Sequence, residues 1–185
     1  MLSITSTITL NHDLEIPVFG LGVFKAGKGE FTTNAVLNAL DVGYRHIDTA
    51  RIYRNEEAVG EALKRSGVPR DEVFVTTKLW NHDQGYEETL RAMDASLDAL
   101  GLEAADLYLM HWPVSAKRLD SWRAMEHLCR QGKARASGVS NFTVRHLEEL
   151  MRHATIPPAV NQVELHPFLT QRDLVARCQD LGIAL

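Results

Sequence analysis

Short apolar runs alternate with amphipathic segments along the chain from residue 19 onward. The runs, which are typical of buried β-strands, fall at 19–24, 44–49, 73–79, 106–112, 136–140 and 159–165. Between them, apolar residues recur three and four positions apart, which predicts amphipathic helices. Gly43, Gly67 and Gly101 end the first three helices. Strict alternation of strand and helix predicts a parallel sheet with right-handed crossovers.

Turn and cap residues predict where further elements begin and end. A hairpin with strands at 8–10 and 14–18 precedes the first buried strand, and its turn falls at 11–13. Thr33, Asn55 and Thr170 are predicted helix N-caps, because their side chains can accept hydrogen bonds from the first amides of a helix. The later helices and a last strand are expected at 122–130, 142–153, 173–181 and from 183 onward.

Two α/β architectures fit this alternation, an open doubly wound sheet and a (β/α)8 TIM barrel. The barrel is favoured because polar candidates follow nearly every strand, and barrel enzymes keep their chemistry at the carboxyl ends of the strands. Gly20-Leu21-Gly22 does not open directly into a helix, so it lacks the context of a dinucleotide-binding loop. A complete barrel has about 250 residues. Residues 1–185 are therefore expected to form one incomplete barrel domain of about six βα units.

Composition narrows the classes of function. The 185 residues are 45% hydrophobic and 24% charged, which is typical of a globular protein with a sizeable core. A net charge of -4 gives no electrostatic reason to expect nucleic acid or an anionic membrane as a partner. Cys129 and Cys178 lack the spacing of a metal or redox pair, and the first residues lack a signal-peptide pattern. A cytoplasmic location is therefore expected.

An acid, a phenol, an amine and an imidazole fall at the carboxyl ends of consecutive predicted strands. They are Asp48, Tyr53, Lys78 and His111. Because the carboxyl ends of parallel strands meet at one face, these groups are expected to lie together. A phenol has an ordinary pKa of about 10, so Lys78 is expected to stabilise the phenolate of Tyr53 and make it an acid at neutral pH. Asp48 would keep Lys78 charged, and His111 would orient a carbonyl oxygen.

Five motifs, GYRHIDTARIYRNE, TTKLW, DLYLMHWP, GVSNF and NQVELHP, occur in this order. Together they resemble the aldo-keto reductases over essentially the whole chain, in particular the short-loop bacterial members that reduce small keto sugars and keto aldehydes. The resemblance implies a (β/α)8 barrel that binds NADPH without a Rossmann fold. It implies a catalytic tetrad of Asp48, Tyr53, Lys78 and His111. The cofactor contacts that it implies are Gly22, Asp48, Ser140, Asn141 and Gln162, the last three of them to the nicotinamide carboxamide.

Aromatic side chains follow three of the strand ends. Phe24, Trp80 and Trp112 are expected to wall an apolar substrate pocket beside His111. Packing at the rim of the barrel would explain these aromatics equally well. The connection at 113–119 is short, which favours a shallow, open site for small polar carbonyl compounds.

Other functions fit part of the pattern. The chain could be a catalytically silent barrel remnant or binding module, in which Asp48 and Lys78 form only a buried ion pair. A barrel lyase would use Lys78 to form a Schiff base with a carbonyl substrate. His46, Asp48, Glu164 and His166 are candidate metal ligands, but they lack a recognised ligand spacing, so no metal is expected.

The chain ends where a seventh strand would begin. The resemblance places the groups that hold the adenosine 2′-phosphate beyond this point, so NADPH is expected to bind more weakly than to a complete barrel. Open sheet edges and uncovered apolar faces are expected to make the 185-residue form unstable or prone to self-association. The full-length form is expected to be a monomer whose partner is a small carbonyl substrate.

Overall fold

The chain forms a curved parallel sheet with helices packed against it and a β-hairpin at one end. The computed structural model describes residues 2–11 and 13–185. Strands β1 (Thr7–Thr9) and β2 (Glu15–Pro17) pair in antiparallel fashion, as the hairpin prediction requires. The predicted turn at 11–13 includes residue 12, which lies outside the described residues.

Within the described residues, the main sheet has six parallel strands in chain order. They are β3 (Leu21–Gly22), β4 (His46–Asp48), β5 (Phe74–Leu79), β6 (Ala105–Met110), β7 (Ala134–Ser140) and β8 (Asn161–Gln162). The helices are α1 (Glu30–Asp41), α2 (Glu56–Ser66), α3 (Tyr86–Leu100), α4 (Arg118–Arg130), α5 (Val144–Met151) and α6 (Arg172–Asp180). Each strand pairs with the next one along the chain, which is the order of a barrel and not of a doubly wound sheet. A further parallel bridge joins Val160 to Ala184.

A hydrogen bond across the interior reveals how far the sheet is bent. Gln162, at the end of β8, donates from Nε2 to Oδ2 of Asp48 at the end of β4, over 2.9 Å. These strands lie four places apart in the sheet, and in a flat sheet they would be separated by about 19 Å. The sheet therefore curls into the wall of a barrel, and the predicted incomplete (β/α)8 fold is confirmed.

Apolar side chains cover both faces of the sheet. Strands β5 and β6 are buried along their whole length, as expected of parallel strands that are covered on two sides. On the outer face, Trp122 of α4 is buried, and its Nε1 donates to the carbonyl oxygen of Ile156 over 3.2 Å. On the inner face, the hairpin segment packs against β6 in a cluster that includes Leu10, Leu14, Ile16, Leu107 and Leu109. The hairpin therefore closes one end of the barrel.

A buried carboxylate fixes the amino-terminal ends of β5 and β6. Asp106 accepts from Arg70 Nη2 and from Arg135 Nη1, each over 2.7 Å, and from the backbone N–H of Val75 over 2.8 Å. Both carboxylate oxygens are used, so the buried charge is fully paired. This end of the strands is where barrels concentrate stabilising contacts, away from their chemistry.

Two predicted strands are shorter than expected. The expectation of a buried strand at 19–24 is wrong, because regular pairing covers only β3, and Phe19 and Phe24 are exposed. Among the described residues β3 has a single neighbour, β4, so one of its edges stays open. The strand expected at 159–165 is confined to β8, because the chain then leaves the sheet and Leu165 is exposed.

The predicted helix caps are only partly right. Thr33 lies inside α1, where its hydroxyl donates to the carbonyl oxygen of Ala58 in α2 over 3.1 Å, so it joins two helices instead of capping one. Thr170 is one residue too early, since Gln171 holds the N-cap position of α6 in a left-handed conformation, φ 44. Asn55 does hold the N-cap position of α2, but, as far as the described residues go, its side chain makes no cap hydrogen bond.

Candidate active site

The acid and the amine form an ion pair between neighbouring strands. Asp48 is the last residue of β4, and Lys78 lies one residue before the end of β5. The Lys78 ammonium is 2.5 Å from Oδ1 of Asp48, and it also donates to the carbonyl oxygen of Thr49 over 2.9 Å. Because Lys78 is only 1% exposed, the cation depends on these protein partners in place of water.

A short 3₁₀ turn, Arg51–Tyr53, brings the phenol to this pair directly after β4. Lys78 donates to the Tyr53 hydroxyl oxygen over 3.4 Å, and its nitrogen lies 5.0 Å from the centre of the phenol ring. The three protons of the ammonium thus face Asp48, Thr49 and Tyr53. The structure therefore brings the acid, the amine and the phenol together.

Asn55 holds the turn that carries Tyr53. Its Oδ1 accepts from the Thr49 hydroxyl over 2.8 Å, and its Nδ2 donates to the carbonyl oxygen of Val23 over 2.9 Å. These buried bonds tie the start of α2 to the ends of β3 and β4. The sequence predicts Asn55 only as a helix cap, because no local pattern identifies contacts between residues so far apart.

Burial has the largest effect on the proton affinities of this cluster. It lowers the pKa of Lys78, although Asp48 opposes the change. Burial and then the Asp48 charge raise the pKa of Tyr53 to about 12. The expectation that Lys78 makes Tyr53 more acidic is therefore wrong for the free protein. The physical reason is that a buried phenolate would be poorly solvated, and the nearby Asp48 carboxylate would repel it.

His111 directly follows β6 and stands beside Tyr53. The two rings meet edge-on with centroids 5.8 Å apart, and Trp80 meets His111 in the same way at 5.4 Å. Burial, and then the Lys78 charge, lower the pKa of His111 to about 4. The imidazole is therefore neutral at physiological pH, with one ring nitrogen that can donate a hydrogen bond.

The cleft at the carboxyl ends of the strands has a volume of about 500 Å³. Its lining consists of Phe24, Ile52, Tyr53, Trp80, His111, Trp112, Ser140, Asn141, Gln162, Val163 and Glu164. All of the predicted substrate contacts thus line one cleft. Gly22 and Asp48 line a neighbouring cavity of about 460 Å³, which Gln162 also borders. The sequence does not single out Ile52 and Val163 as site residues. Their position next to Tyr53 and Gln162 is the signal that could have identified them.

Three polar residues at the ends of β7 and β8 form a connected set. Asn141 donates from Nδ2 to the carbonyl oxygen of His111 over 2.9 Å and to Oγ of Ser140 over 3.1 Å. Ser140 donates to the carbonyl oxygen of Gln162 over 2.9 Å, and Gln162 in turn donates to Asp48. Within residues 2–11 and 13–185, no group donates to the amide oxygens of Asn141 and Gln162. Both oxygens can therefore accept hydrogen bonds from a ligand.

The candidate metal ligands lie in two separate places. His46 Nε2 is 2.9 Å from the Thr76 hydroxyl, whereas His166 Nε2 is 3.0 Å from Oε1 of Glu164 on the surface. In the part of the chain that the structure describes, no three His, Cys, Asp or Glu side chains are grouped for a metal ion.

The low pKa of His111 should make stability depend on pH. The unfolded chain takes up this proton near pH 6.5 and the folded protein only near about 4, so between these values the unfolded state binds more protons. Stability should therefore fall as the pH is lowered from 6.5 to about 4, and His111→Gln should remove part of that loss. Denaturant midpoints of both proteins across this range test the expectation. An imidazole that titrates near 6.5 by NMR would contradict it.

The fold and the cleft define a barrel protein with its polar groups at the carboxyl ends of the strands. The model of the aldo/keto reductase family matches residues 18–185, and the chain belongs to this family. It is 55% identical over 183 residues to glyoxal reductase of Bacillus subtilis, which covers 99% of this chain and 66% of that protein. The crystal structure of an aldo/keto reductase from Brucella melitensis matches with a TM-score of 0.95 at 45% identity, over 97% of this chain and 71% of that one.

A Bombyx mori aldo-keto reductase, solved in complex with NADP, matches with a TM-score of 0.92 at 39% identity, over 97% of this chain and 64% of that one. The family resemblance of the five motifs is thus confirmed. The chain spans about two thirds of the length of the curated relatives that it matches. Among the described residues, no helix has the length and apolar character needed to cross a membrane.

Proposed function

We propose that the protein reduces small aldehydes and ketones to alcohols with NADPH as the reductant, and that Tyr53 donates the proton. The observation that carries the proposal is the contact of Lys78 with both Asp48 and the hydroxyl of Tyr53, at the edge of the cleft. A protonated phenol beside a buried cation is an acid placed to act on a bound ligand.

Tyr53 releases its proton when negative charge develops beside it. Its pKa of about 12 keeps the proton on the phenol until the carbonyl oxygen of the substrate becomes a stronger base. Lys78, 3.4 Å from the hydroxyl oxygen, then stabilises the phenolate that remains. Asp48 holds Lys78 in place throughout, because it is the nearest partner of the ammonium.

His111 and the aromatic side chains orient the substrate. The neutral imidazole stands next to Tyr53 and donates a hydrogen bond to the same carbonyl oxygen. Trp80, Trp112 and Phe24 line the approach and provide apolar surface for the carbon skeleton of the substrate. Phe24 and Trp112 remain 62% and 46% exposed, so the cleft is open on this side and suits small compounds.

A nicotinamide cofactor would supply the hydride, which no side chain can provide. Ser140, Asn141 and Gln162 fit its carboxamide, because the free amide oxygens can accept from carboxamide N–H groups. Gly22 and Asp48 border the adjoining cavity, and the absence of a side chain at Gly22 leaves space there. The Bombyx mori relative that contains NADP supports the choice of cofactor.

A Schiff-base lyase is the weaker candidate. Lys78 would have to lose a proton and attack a carbonyl carbon, but it is 1% exposed and its protons face three acceptors. A substrate could reach it only after the pair with Asp48 is broken. No specific observation favours a silent binding module.

The purified chain should oxidise NADPH when glyoxal or methylglyoxal is added, as the name of the Bacillus subtilis relative suggests for the substrate class. Loss of the near-ultraviolet absorbance of the reduced nicotinamide measures the reaction, and omission of the carbonyl compound is the control. Borohydride added with the carbonyl compound should leave Lys78 unlabelled. A folded preparation that binds NADPH but oxidises none of it with any small carbonyl compound would refute the proposal.

A further inference from the structure

We propose that Gln162 is a positioning residue, whose amide nitrogen holds the Asp48 carboxylate while its amide oxygen stays free for a ligand. The inference rests on the proposed function, since Asp48 acts there only through Lys78 and Tyr53. It assigns to Gln162 a role in the protein without cofactor, in addition to the carboxamide contact.

The two oxygens of Asp48 have different partners. Oδ1 is 2.5 Å from Lys78 Nζ, and Oδ2 accepts from Gln162 Nε2 over 2.9 Å. A carboxylate held at one oxygen can still rotate about its Cβ–Cγ bond, which has broad minima. The second contact removes this freedom, and the Asp48 side chain is only 15% exposed, so little water can replace it. The orientation of Asp48 towards Lys78 therefore depends on Gln162.

The backbone of Gln162 is itself fixed by the end of β7. Its carbonyl oxygen accepts from Oγ of Ser140 over 2.9 Å and from the backbone N–H of Asn141 over 3.0 Å. Strand β8 has only two residues, so these two hydrogen bonds largely fix the position of Gln162 at the end of the sheet. From this point the side chain crosses the interior to β4, a strand four places away.

The amide can serve the ion pair and a ligand at the same time. Nε2 has two hydrogens, of which one is directed at Asp48, and Oε1 has no partner in the described part of the chain. Gln162 borders both the cleft and the cavity next to Asp48. A ligand N–H can therefore bind to Oε1 without displacing Asp48.

Hydrogen exchange of the Lys78 ammonium, followed by NMR on the whole chain without cofactor, tests the proposal. Gln162→Met keeps the length of the side chain and removes the donor. Exchange at Lys78 should then quicken about tenfold, the change expected from losing one hydrogen bond to a charged group. Gln84→Met is the matched control, since Gln84 Nε2 donates to the carbonyl oxygen of Trp112 over 2.7 Å and not to Asp48. It should leave exchange at Lys78 as in the wild type.

Equal exchange in the wild type and in Gln162→Met would overturn the proposal. The same acceleration in Gln84→Met would also overturn it, because it would report a general loosening. A second measurement uses only the wild-type protein. The Gln162 side-chain amide proton directed at Asp48 should exchange more slowly than the other proton on Nε2. Equal exchange rates for the two protons would contradict the contact. Neither measurement uses NADPH or a carbonyl compound, so a failure of carbonyl reduction would refute the proposed function and leave these results standing.

Discussion

Tyr53→Phe should slow carbonyl reduction by about two to four orders of magnitude, the usual contribution of a positioned acid. The ring would still pack against Phe24 and His111, whose ring centres lie 5.0 and 5.8 Å away, so the shape of the cleft should be kept. Only the hydroxyl that faces Lys78 is lost. Turnover with glyoxal, measured together with the Kd for NADPH on the same preparation, separates the chemistry from binding.

Tyr86→Phe is the matched control for this variant. Tyr86 lies on α3, where its ring centre is 6.3 Å from that of His127, and it does not line the cleft. The substitution removes the same hydroxyl and should leave turnover unchanged. The Kd for NADPH should also stay close to the wild-type value in Tyr53→Phe, because the phenol acts on the substrate oxygen. Near-normal turnover of Tyr53→Phe would rule out its role as proton donor.

Gly138→Ala should destabilise the barrel by overpacking. A methyl group at this position of β7 would lie 2.6 Å from the carbonyl oxygen of Val160 and 2.7 Å from the Leu109 side chain. The Val160 oxygen cannot move away freely, because it accepts from the backbone N–H of Val139 over 2.8 Å. Overpacking of this kind costs about 1–3 kcal/mol, which corresponds to a fall of about 2–12 °C in Tm for a chain of this size.

Gly22→Ala provides the comparison in thermal unfolding. Gly22 also lies in a parallel strand, but a methyl group there would meet no atom of the described residues within 4 Å. Its Tm should therefore equal that of the wild type. Since both variants replace a strand glycine by alanine, the difference between their Tm values isolates the contacts with Val160 and Leu109. Equal Tm values for the two variants would mean that the chain around Val160 shifts to accept the methyl group.

The type and order of the elements are predictable because parallel strands buried on both faces produce continuous apolar runs. The runs at 73–79 and 106–112 are examples, and they coincide with β5 and β6 to within one residue at most ends. The predicted strand boundaries are wrong where the strand is not buried on both faces. An example is 19–24, where the strand has a single neighbour among the described residues. The cap assigned to Thr33 fails for another reason, since a threonine hydroxyl can bond to a carbonyl inside a helix as readily as to a free amide.

The polar residues of the site are predictable as a group, because each one lies at or just beyond the carboxyl end of a strand and parallel strands end at one face. The contacts between these residues are not predictable from the sequence. The bond between Gln162 and Asp48 joins residues 114 positions apart and depends on how strongly the sheet bends. The pKa of Tyr53 moves opposite to expectation because the sequence specifies a nearby cation but not the depth of burial.

The three tryptophans contribute two distinguishable signals to the intrinsic fluorescence of the protein. Trp80 and Trp112 line the cleft, whereas Trp122 of α4 is buried, and its indole N–H donates a hydrogen bond to the carbonyl oxygen of Ile156. A ligand that absorbs the indole emission should quench the two cleft residues most strongly, because they are the nearest to it. The buried indole should shift its emission only when the core opens to water. One emission spectrum, without any attached dye, can therefore follow the occupancy of the cleft and the integrity of the core as separate optical quantities.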